Sequence, residues 1–227
     1  MYESTSMRIK PNQITLLISL VFLSSCFEVI DEITLNADGS GTYGLTVNLS
    51  KSKTKIATMM ALKDGKTPTE TEINEEFDRV VDQLKTMSGI SRVVHTSDFD
   101  NYIFMLEFDF EKVENLNRAV AQIITSREKE DGEFSISYQF NKASKKFTRG
   151  YTYRADEDKV DEQVKAEDQD LLKEAYYTSI CRFSGQVTSC SNREAKISKS
   201  GKSVLLRSSA YDLMKGKSNL SNTVLLK

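Results

Sequence analysis

The chain of 227 residues is poor in proline (2), glycine (10), cysteine (3) and histidine (1), and it has no tryptophan. So few prolines and glycines exclude a collagen-like or low-complexity disordered chain. Only one long apolar run occurs, which excludes a polytopic membrane protein. With 39% hydrophobic and 28% charged residues, the composition is that of a folded globular chain.

The single histidine limits the chemistry that the chain can carry out. His95 follows two valines in a predicted strand, and we interpret it as a partly buried polar residue rather than a catalytic base. A Ser-His-Asp triad would depend on this one residue, and a zinc site would lack ligands. Because no nucleophile elbow, P-loop or dinucleotide fingerprint occurs either, we expect no catalytic, cofactor-binding or metal-binding residues.

Two pairs of acidic residues leave a carboxylate-based hydrolase as a remote alternative. They are Asp31 with Glu32 and Asp98 with Asp100, and paired carboxylates can hydrolyse glycosides. Such enzymes also hold sugar rings against aromatic platforms, and this chain has no tryptophan. We therefore expect these acids at strand ends and turns, and a protein that is not an enzyme.

The first 25 residues have the pattern of a signal peptide. The basic stretch that starts at Met7 precedes an apolar run over 14–23 and the small residues Ser24 and Ser25. Ten residues cover about 15 Å of helix, half of what a bilayer core requires. The start codon can be Met1 or Met7. An ordinary secretory signal or a buried hydrophobic element are the alternatives.

The tetrad Leu23-Ser24-Ser25-Cys26 resembles the lipobox of bacterial lipoproteins. This resemblance implies cleavage before Cys26 and diacylation of its thiol, with palmitate as an expected acyl group. Two acyl chains give stable anchoring to a membrane surface. We therefore expect a lipid-anchored protein of the bacterial cell envelope, facing an oxidising compartment such as the periplasm. Phe27 lacks the aspartate that retains some lipoproteins at the inner membrane, which favours the outer membrane in a diderm host.

The charge of the mature chain argues against nucleic-acid binding. Loss of residues 1–25 removes Glu3, Arg8 and Lys10, so the net charge changes from −2 to −3. Nucleic-acid binding requires a concentrated basic face. Late basic residues are spread among serines and aliphatic residues, which favours a solvated face over a polyanion site; they are Arg193, Lys196, Lys199, Lys202, Arg207, Lys215 and Lys217.

The two remaining cysteines, Cys181 and Cys190, are an even number in an exported chain. A disulfide between them would close a ten-residue loop and is the preferred interpretation. Two free cysteines on neighbouring strands, or a redox pair, stay open as alternatives. The spacing differs from Cys-x-x-Cys, which disfavours the redox pair.

Hydrophobic periodicity predicts strands and helices in a mixed order. Alternating runs around Asn36–Gly41 predict a hairpin rather than a calcium loop, since Val47 stands where calcium requires an acid. Helices are predicted over 53–62, 70–87 and 112–127, the second with a capping box of Thr69 and Glu72. Further strands are predicted over 90–96, 101–110, 134–140, 147–153, 175–183, 196–198 and 203–208.

This pattern predicts an α+β fold with a largely antiparallel sheet of hairpins and with helices packed on one face. Residues 26–227 are expected to form a single domain. Its acidic segment 156–174 is either an exposed helix, which we prefer, or a mobile insertion.

The stretch Ile180–Val187, the pair Ser191-Asn192, the run Ala195–Ser198 and the turn at Gly201 into Val204–Leu206 resemble the closing strands of LppM-like lipoprotein domains. The resemblance covers roughly residues 180–210, and this chain lacks the proline and tryptophan often found there. It implies an exported, anchored α+β domain without a known catalytic centre. Binding of an envelope protein partner or support of assembly is the preferred function, and a carrier of lipid or another hydrophobic ligand is the alternative.

Overall fold

The computed structural model describes residues 27–54, 69–125, 133–154 and 172–227. The strands in these ranges are β1 (Glu28–Leu35), β2 (Gly41–Asn48), β3 (Ile90–Asp98), β4 (Ile103–Phe110), β5 (Glu133–Asn141), β6 (Lys146–Arg154), β7 (Tyr176–Phe183), β8 (Val187–Cys190), β9 (Lys196–Ile197), β10 (Ser203–Ser209) and β11 (Asn222–Leu226). The α-helices that lie wholly within them are α1 (Glu70–Lys85), α2 (Val113–Thr125) and α3 (Ala210–Met214), and a short 3-10 helix spans Ser50–Ser52. None of the helices in the described ranges has the length and apolar content needed to cross a membrane.

The larger of two sheets has seven strands in the order β3-β4-β2-β1-β7-β10-β9. Its central strand, β1, pairs antiparallel with β2 and parallel with β7. The other neighbours in this sheet run antiparallel. The first residue of β1, Glu28, lies beside the first residue of β7, Tyr176. One end of the sheet therefore contains the starts of both strands.

The second sheet has four antiparallel strands in the order β5-β6-β11-β8. It packs on one face of the larger sheet, and both contribute to one cluster of buried apolar side chains. The rings of Phe147 on β6 and Phe183 on β7 are 5.4 Å apart between centroids. The main core therefore includes the space between the two sheets, and apolar side chains of α1 and α2 belong to the same cluster.

The predicted fold class is wrong in its architecture. We expected one largely antiparallel sheet covered by helices, whereas a second sheet covers the larger one and a parallel pair lies at its centre. The described part of the chain is mainly sheet with few helices. Alternation in the sequence identifies strands but does not say which strands pair, so β5 and β6 could not be separated from the first sheet. The strands β8 and β11 were not among the predicted strands.

Several local predictions are confirmed. The loop at 36–40 closes the β1–β2 hairpin, with the Asn36 amide donating to the Ser40 carbonyl at 2.8 Å. Gly39 has a φ of 93°, which glycine adopts without steric cost. The α1 capping box forms as expected: the Thr69 side chain accepts from the Glu72 amide, and the Glu72 side chain accepts from the Thr69 amide.

The helices cover edges of the two sheets. α1 packs against β3, and α2 packs mainly against β5. Asn117 on α2 donates to the Tyr138 carbonyl at 2.8 Å and accepts from the Tyr138 amide at 2.7 Å. Because β5 is an edge strand, this side chain satisfies backbone groups that would otherwise be open to a further strand. The predicted helices over 53–62 and 156–174 lie largely outside the described residues.

A buried ion pair connects the sheets through the core. Arg149 Nη2 on β6 donates to Asp31 Oδ2 on β1 at 3.2 Å, and both side chains are at most 1% exposed. The Tyr138 hydroxyl donates to the same carboxylate oxygen at 3.0 Å. Arg149 Nη1 donates to the Leu220 carbonyl at 3.0 Å. These bonds connect β1 with β5, β6 and the segment before β11.

Aromatic rings enclose the guanidinium of Arg149. Its central carbon is 5.8 Å from the ring centroids of both Tyr151 and Tyr177. Two atoms of the pair, Asp31 Oδ1 and Arg149 Nε, have no hydrogen-bond partner among the described residues. The two charges therefore depend mainly on each other for compensation, because a buried charge without its partner is costly.

We predict that Asp31→Leu and Arg149→Met each lower the free energy of unfolding by about 3–5 kcal/mol, since each leaves an uncompensated buried charge. The double variant should be more stable than either single variant, because it removes both charges. Urea unfolding followed by circular dichroism measures these differences.

The matched control is the exposed pair on the other face of β1, where Arg182 Nε donates to Glu32 Oε1 at 2.8 Å. Its side chains are 49% and 38% exposed, so Glu32→Gln should cost about 1 kcal/mol or less. If the free energy of unfolding of the double variant falls by the sum of the two single decreases, the proposed coupling between Asp31 and Arg149 is contradicted.

Candidate functional site: a basic cleft at the start of β1

An open cleft of about 820 Å³ lies where β1 and β7 begin and β10 ends. Its charged lining consists of five cationic side chains and two carboxylates: Lys173, Arg193, Lys196, Arg207, Lys217, Glu194 and Asp212. The lining has an excess of positive charge in a chain whose net charge is −2. We call this feature the basic cleft.

Arg207 is held on the cleft wall by two kinds of contact. Its guanidinium carbon is 3.8 Å from the centroid of the Tyr176 ring, a close cation–π contact. Its Nε is 3.2 Å from Glu28 Oε1, which also accepts a 2.5 Å hydrogen bond from Thr178 Oγ1. The first residue of β1 thus positions a cation of the cleft.

Tyr211 also lines the cleft and lies close to two lysines of the lining. The ammonium groups of Lys173 and Lys217 are 5.6 and 5.8 Å from the centroid of its ring. Tyr211 is the second residue of the short helix α3, which Ser209 caps by accepting from the Asp212 amide at 3.0 Å. The lining therefore combines cations with two tyrosine rings, a composition suited to an anionic group with adjoining apolar or hydroxyl surface.

Sequence reasoning missed this cleft. We interpreted the late basic residues as a spread, solvated face. Four of them line the cleft, and Lys173 lines it too; the four are Arg193, Lys196, Arg207 and Lys217. They converge because β9 pairs with β10 and the turn after α3 returns the chain to the segment at 192. A cluster of basic residues within a short interval was visible in the sequence, but its convergence depends on strand pairing.

Cys26, the predicted lipid attachment residue, lies outside the described residues, as does the predicted signal peptide over 1–25. The described chain begins at Phe27, whose carbonyl accepts a 3.0 Å hydrogen bond from the Tyr176 amide. Tyr176 lines the basic cleft. Phe27, the residue next to Cys26, is therefore hydrogen-bonded to a residue that lines the cleft.

The structure does not contain the predicted bridge between Cys181 and Cys190, since both are free thiols. They lie in different sheets, Cys181 on β7 and Cys190 on β8. Burial, together with the nearby charge of Asp31, raises the pKa of the Cys181 thiol to about 12. Burial also raises the pKa of Cys190.

The acidic residues considered for hydrolysis have structural contacts. Asp31 is paired with Arg149 in the core, whereas its neighbour Glu32 binds Arg182 on the other face of the sheet. Successive strand residues point to opposite faces, so Asp31 and Glu32 do not share a site.

The pair at 98 and 100 belongs to a turn. Asp98 accepts hydrogen bonds from the Asn101 amide and side chain at 2.9 and 2.8 Å, which lower the pKa of the Asp98 carboxyl. A lowered pKa keeps this group ionised, which is unsuited to a general acid. The Asp100 carbonyl accepts from Lys53 Nζ.

His95 lies on β3 against α1. Its ring stacks on that of Phe77, with centroids 5.6 Å apart and planes 4° apart. Its Nε2 is 3.8 Å from Asp78 Oδ1, and its side chain is 23% exposed. His95 is therefore a partly buried residue between strand and helix, as the sequence predicted. Among the described residues, no cluster of histidine, cysteine and acidic groups could hold a metal ion.

The aromatic strands that suggested a hydrophobic carrier fill the core. Buried rings from these strands belong to the main apolar cluster; they include Phe108, Phe110, Tyr138 and Phe147. A cavity beside Arg149 and Cys181 measures about 10 Å³. This is the space of a single water molecule and cannot hold an acyl chain.

We predict that Cys181 resists alkylation by iodoacetamide at pH 8 in the native protein. At a pKa of about 12, roughly one thiol in 10⁴ is ionised at this pH, and the thiolate is the reactive species. Native alkylation with a light reagent, followed by denaturation and a heavy reagent without reductant, should place the heavy label on Cys181. Peptide mass spectrometry reads both labels at each cysteine.

Light label on Cys181 at a rate near that of an unfolded control would contradict the burial of this thiol. Heavy label that enters only after reduction would instead reveal a disulfide, which the free thiols of the structure do not predict.

Comparison with family models gives no match, and no curated protein matches the chain. Among solved structures, the chain is similar to the NMR structure of the folded domain of the Mycobacterium tuberculosis protein LppM. The identity is 13% and the TM-score 0.47, over 91% of this chain and 92% of the other.

Proposed function

We propose that the chain is a lipid-anchored, non-enzymatic protein of the bacterial cell envelope that acts by binding another envelope component. The observation that carries the proposal is the start of β1 at Glu28, two residues after Cys26. The described sheets are built from residues that follow the lipobox-like tetrad. Cleavage before Cys26 would thus leave every one of these strands intact.

The anchor would hold the protein at a membrane surface without a spanning helix. A diacylglyceryl group on Cys26 inserts two acyl chains, and two chains anchor stably where one binds only marginally. Because the chain reaches the central strand of the larger sheet after two residues, the folded part is kept close to the membrane. The outer membrane is the preferred location in a diderm host, because Phe27 follows Cys26.

Binding is favoured over catalysis by how the polar groups are used. Three of the four carboxylates considered for hydrolysis are engaged: Asp31 in the core pair, Glu32 in a surface ion pair and Asp98 in a turn. The open basic cleft instead presents cations and tyrosine rings. Such groups can bind an anionic group and the surface that adjoins it. A carrier of hydrophobic ligand is less favoured, because the aromatic strands pack against each other in the core.

The test is the variant Cys26→Ser in the native host, grown with an alkyne-modified palmitate. We expect the unaltered protein to take up the label, to lose residues 1–25 and to fractionate with membranes. Cys26→Ser should lose the acyl label and retain the first 25 residues, because acylation precedes cleavage in the lipoprotein pathway that the tetrad resembles. Intact mass spectrometry and membrane fractionation measure these outcomes.

Cys190→Ser is the matched control, because it removes a cysteine of the folded part and leaves the tetrad unchanged. It should keep the acyl label and the membrane location. Acyl label that persists in Cys26→Ser, or an unaltered protein that carries no lipid, would contradict the anchor.

A further inference from the structure

The basic cleft lies at the end of the molecule where the anchor would enter the membrane. The Phe27 carbonyl is hydrogen-bonded to Tyr176, a residue of the cleft wall. One further residue spans at most about 3.6 Å, so Cys26 and its acyl chains begin beside the cleft. The position of the cleft relative to the membrane follows from this short connection.

The opposite end of the molecule contains turns. β1 runs from Glu28 to Leu35, where it meets Gly41 of β2, and Gly41 in turn pairs with Phe110 at the end of β4. The β5–β6 turn lies at this end too, because Lys142 of that turn is close to Gly39 of the β1–β2 turn. A Cβ atom added to Gly39 would be 3.6 Å from Lys142 Cε. Exposed lysines of this far end, Lys112 and Lys145, therefore lie away from the anchor.

The composition of the cleft matches a membrane surface that bears anionic lipids. Basic residues are attracted to such a surface when they lie within a Debye length of it. Tyrosine is enriched where protein meets the headgroup layer, because its ring is apolar and its hydroxyl is polar. The cleft has five cations, two carboxylates and the rings of Tyr176 and Tyr211.

We propose that the basic cleft docks on the bilayer that holds the Cys26 lipid and takes the phosphate headgroups of anionic phospholipids. This inference rests on the proposed function, since the anchor brings the cleft to the bilayer. A tethered surface meets its ligand at high effective concentration, so even weak headgroup contacts orient the protein. The cleft then faces the membrane and the far-end turns face away.

The test uses the full acylated protein in vesicles of pure phosphatidylcholine and in vesicles that also contain phosphatidylglycerol. Amine acetylation followed by peptide mass spectrometry measures the labelling rate of each lysine. We expect Lys173, Lys196 and Lys217 to be labelled about threefold more slowly on the phosphatidylglycerol vesicles. Lys112 and Lys145 should react equally on both. The protection should disappear at about 1 M NaCl, where charges are screened within about 3 Å.

A charge-reversal pair tests the assignment to the cleft. In Lys196→Glu with Lys217→Glu, the labelling rate of Lys173 should no longer differ between the two vesicle types. The matched control, Lys112→Glu with Lys145→Glu, should keep the difference. Inorganic phosphate added to phosphatidylcholine vesicles should protect the cleft lysines less than phosphatidylglycerol does. Equal protection would assign the cleft to free phosphate and overturn the bilayer docking.

Failure of this inference is distinguishable from failure of the anchor. A protein that lacks the acyl group would not float with phosphatidylcholine vesicles, which contradicts the proposed function. A protein that floats with both vesicle types while its cleft lysines react equally on both would overturn the docking alone. Cleft lysines that react equally slowly on both vesicle types, relative to a denatured control, would in addition indicate another occupant of the cleft.

Discussion

The ion pair between Asp31 and Arg149 is the interaction on which the described architecture depends. It lies between two sheets that both contribute to one cluster of buried apolar side chains. Apolar faces can slide past one another, whereas a buried charge tolerates only the arrangement that brings it to its partner. The pair also binds the Tyr138 hydroxyl and the Leu220 carbonyl. It thereby connects the second sheet to the central strand of the first.

Parts of this architecture are readable in the sequence because they are local. The capping box before α1 and the β1–β2 turn each involve residues a few positions apart. The parallel pairing of β1 with β7 joins Glu28 to Tyr176 across most of the chain, and alternation within either strand cannot reveal it. The division into two sheets and the convergence of the basic cleft both depend on such distant pairings.

The ion pair itself left a signal in the sequence that we did not use. Asp31 stands two residues before the buried Ile33, on the same face of β1, and Arg149 stands two residues after Phe147 on β6. A charged residue at an inward position of an alternating strand requires a partner. Two such residues of opposite sign predict one another, which would have indicated that β1 and β6 face each other across a core.

β1 links this core to the membrane anchor that we propose. It begins two residues after Cys26. Its first residue, Glu28, contacts Arg207 of the basic cleft, and its fourth residue is Asp31 of the ion pair. A rigid central strand next to the anchor limits how the folded part can tilt over the bilayer. This arrangement explains why a cleft at the start of β1, rather than another surface, would meet the headgroups.

The most direct measurement is the depth of two fluorescent labels relative to the bilayer. One label is attached at Ser218→Cys in the cleft and the other at Ser144→Cys in the β5–β6 turn, in the acylated full-length protein. Vesicles that contain phosphatidylglycerol and lipids with a headgroup quencher report proximity to the membrane. The account predicts strong quenching at 218 and little at 144. Equal quenching at the two positions, or stronger quenching at 144, would contradict it.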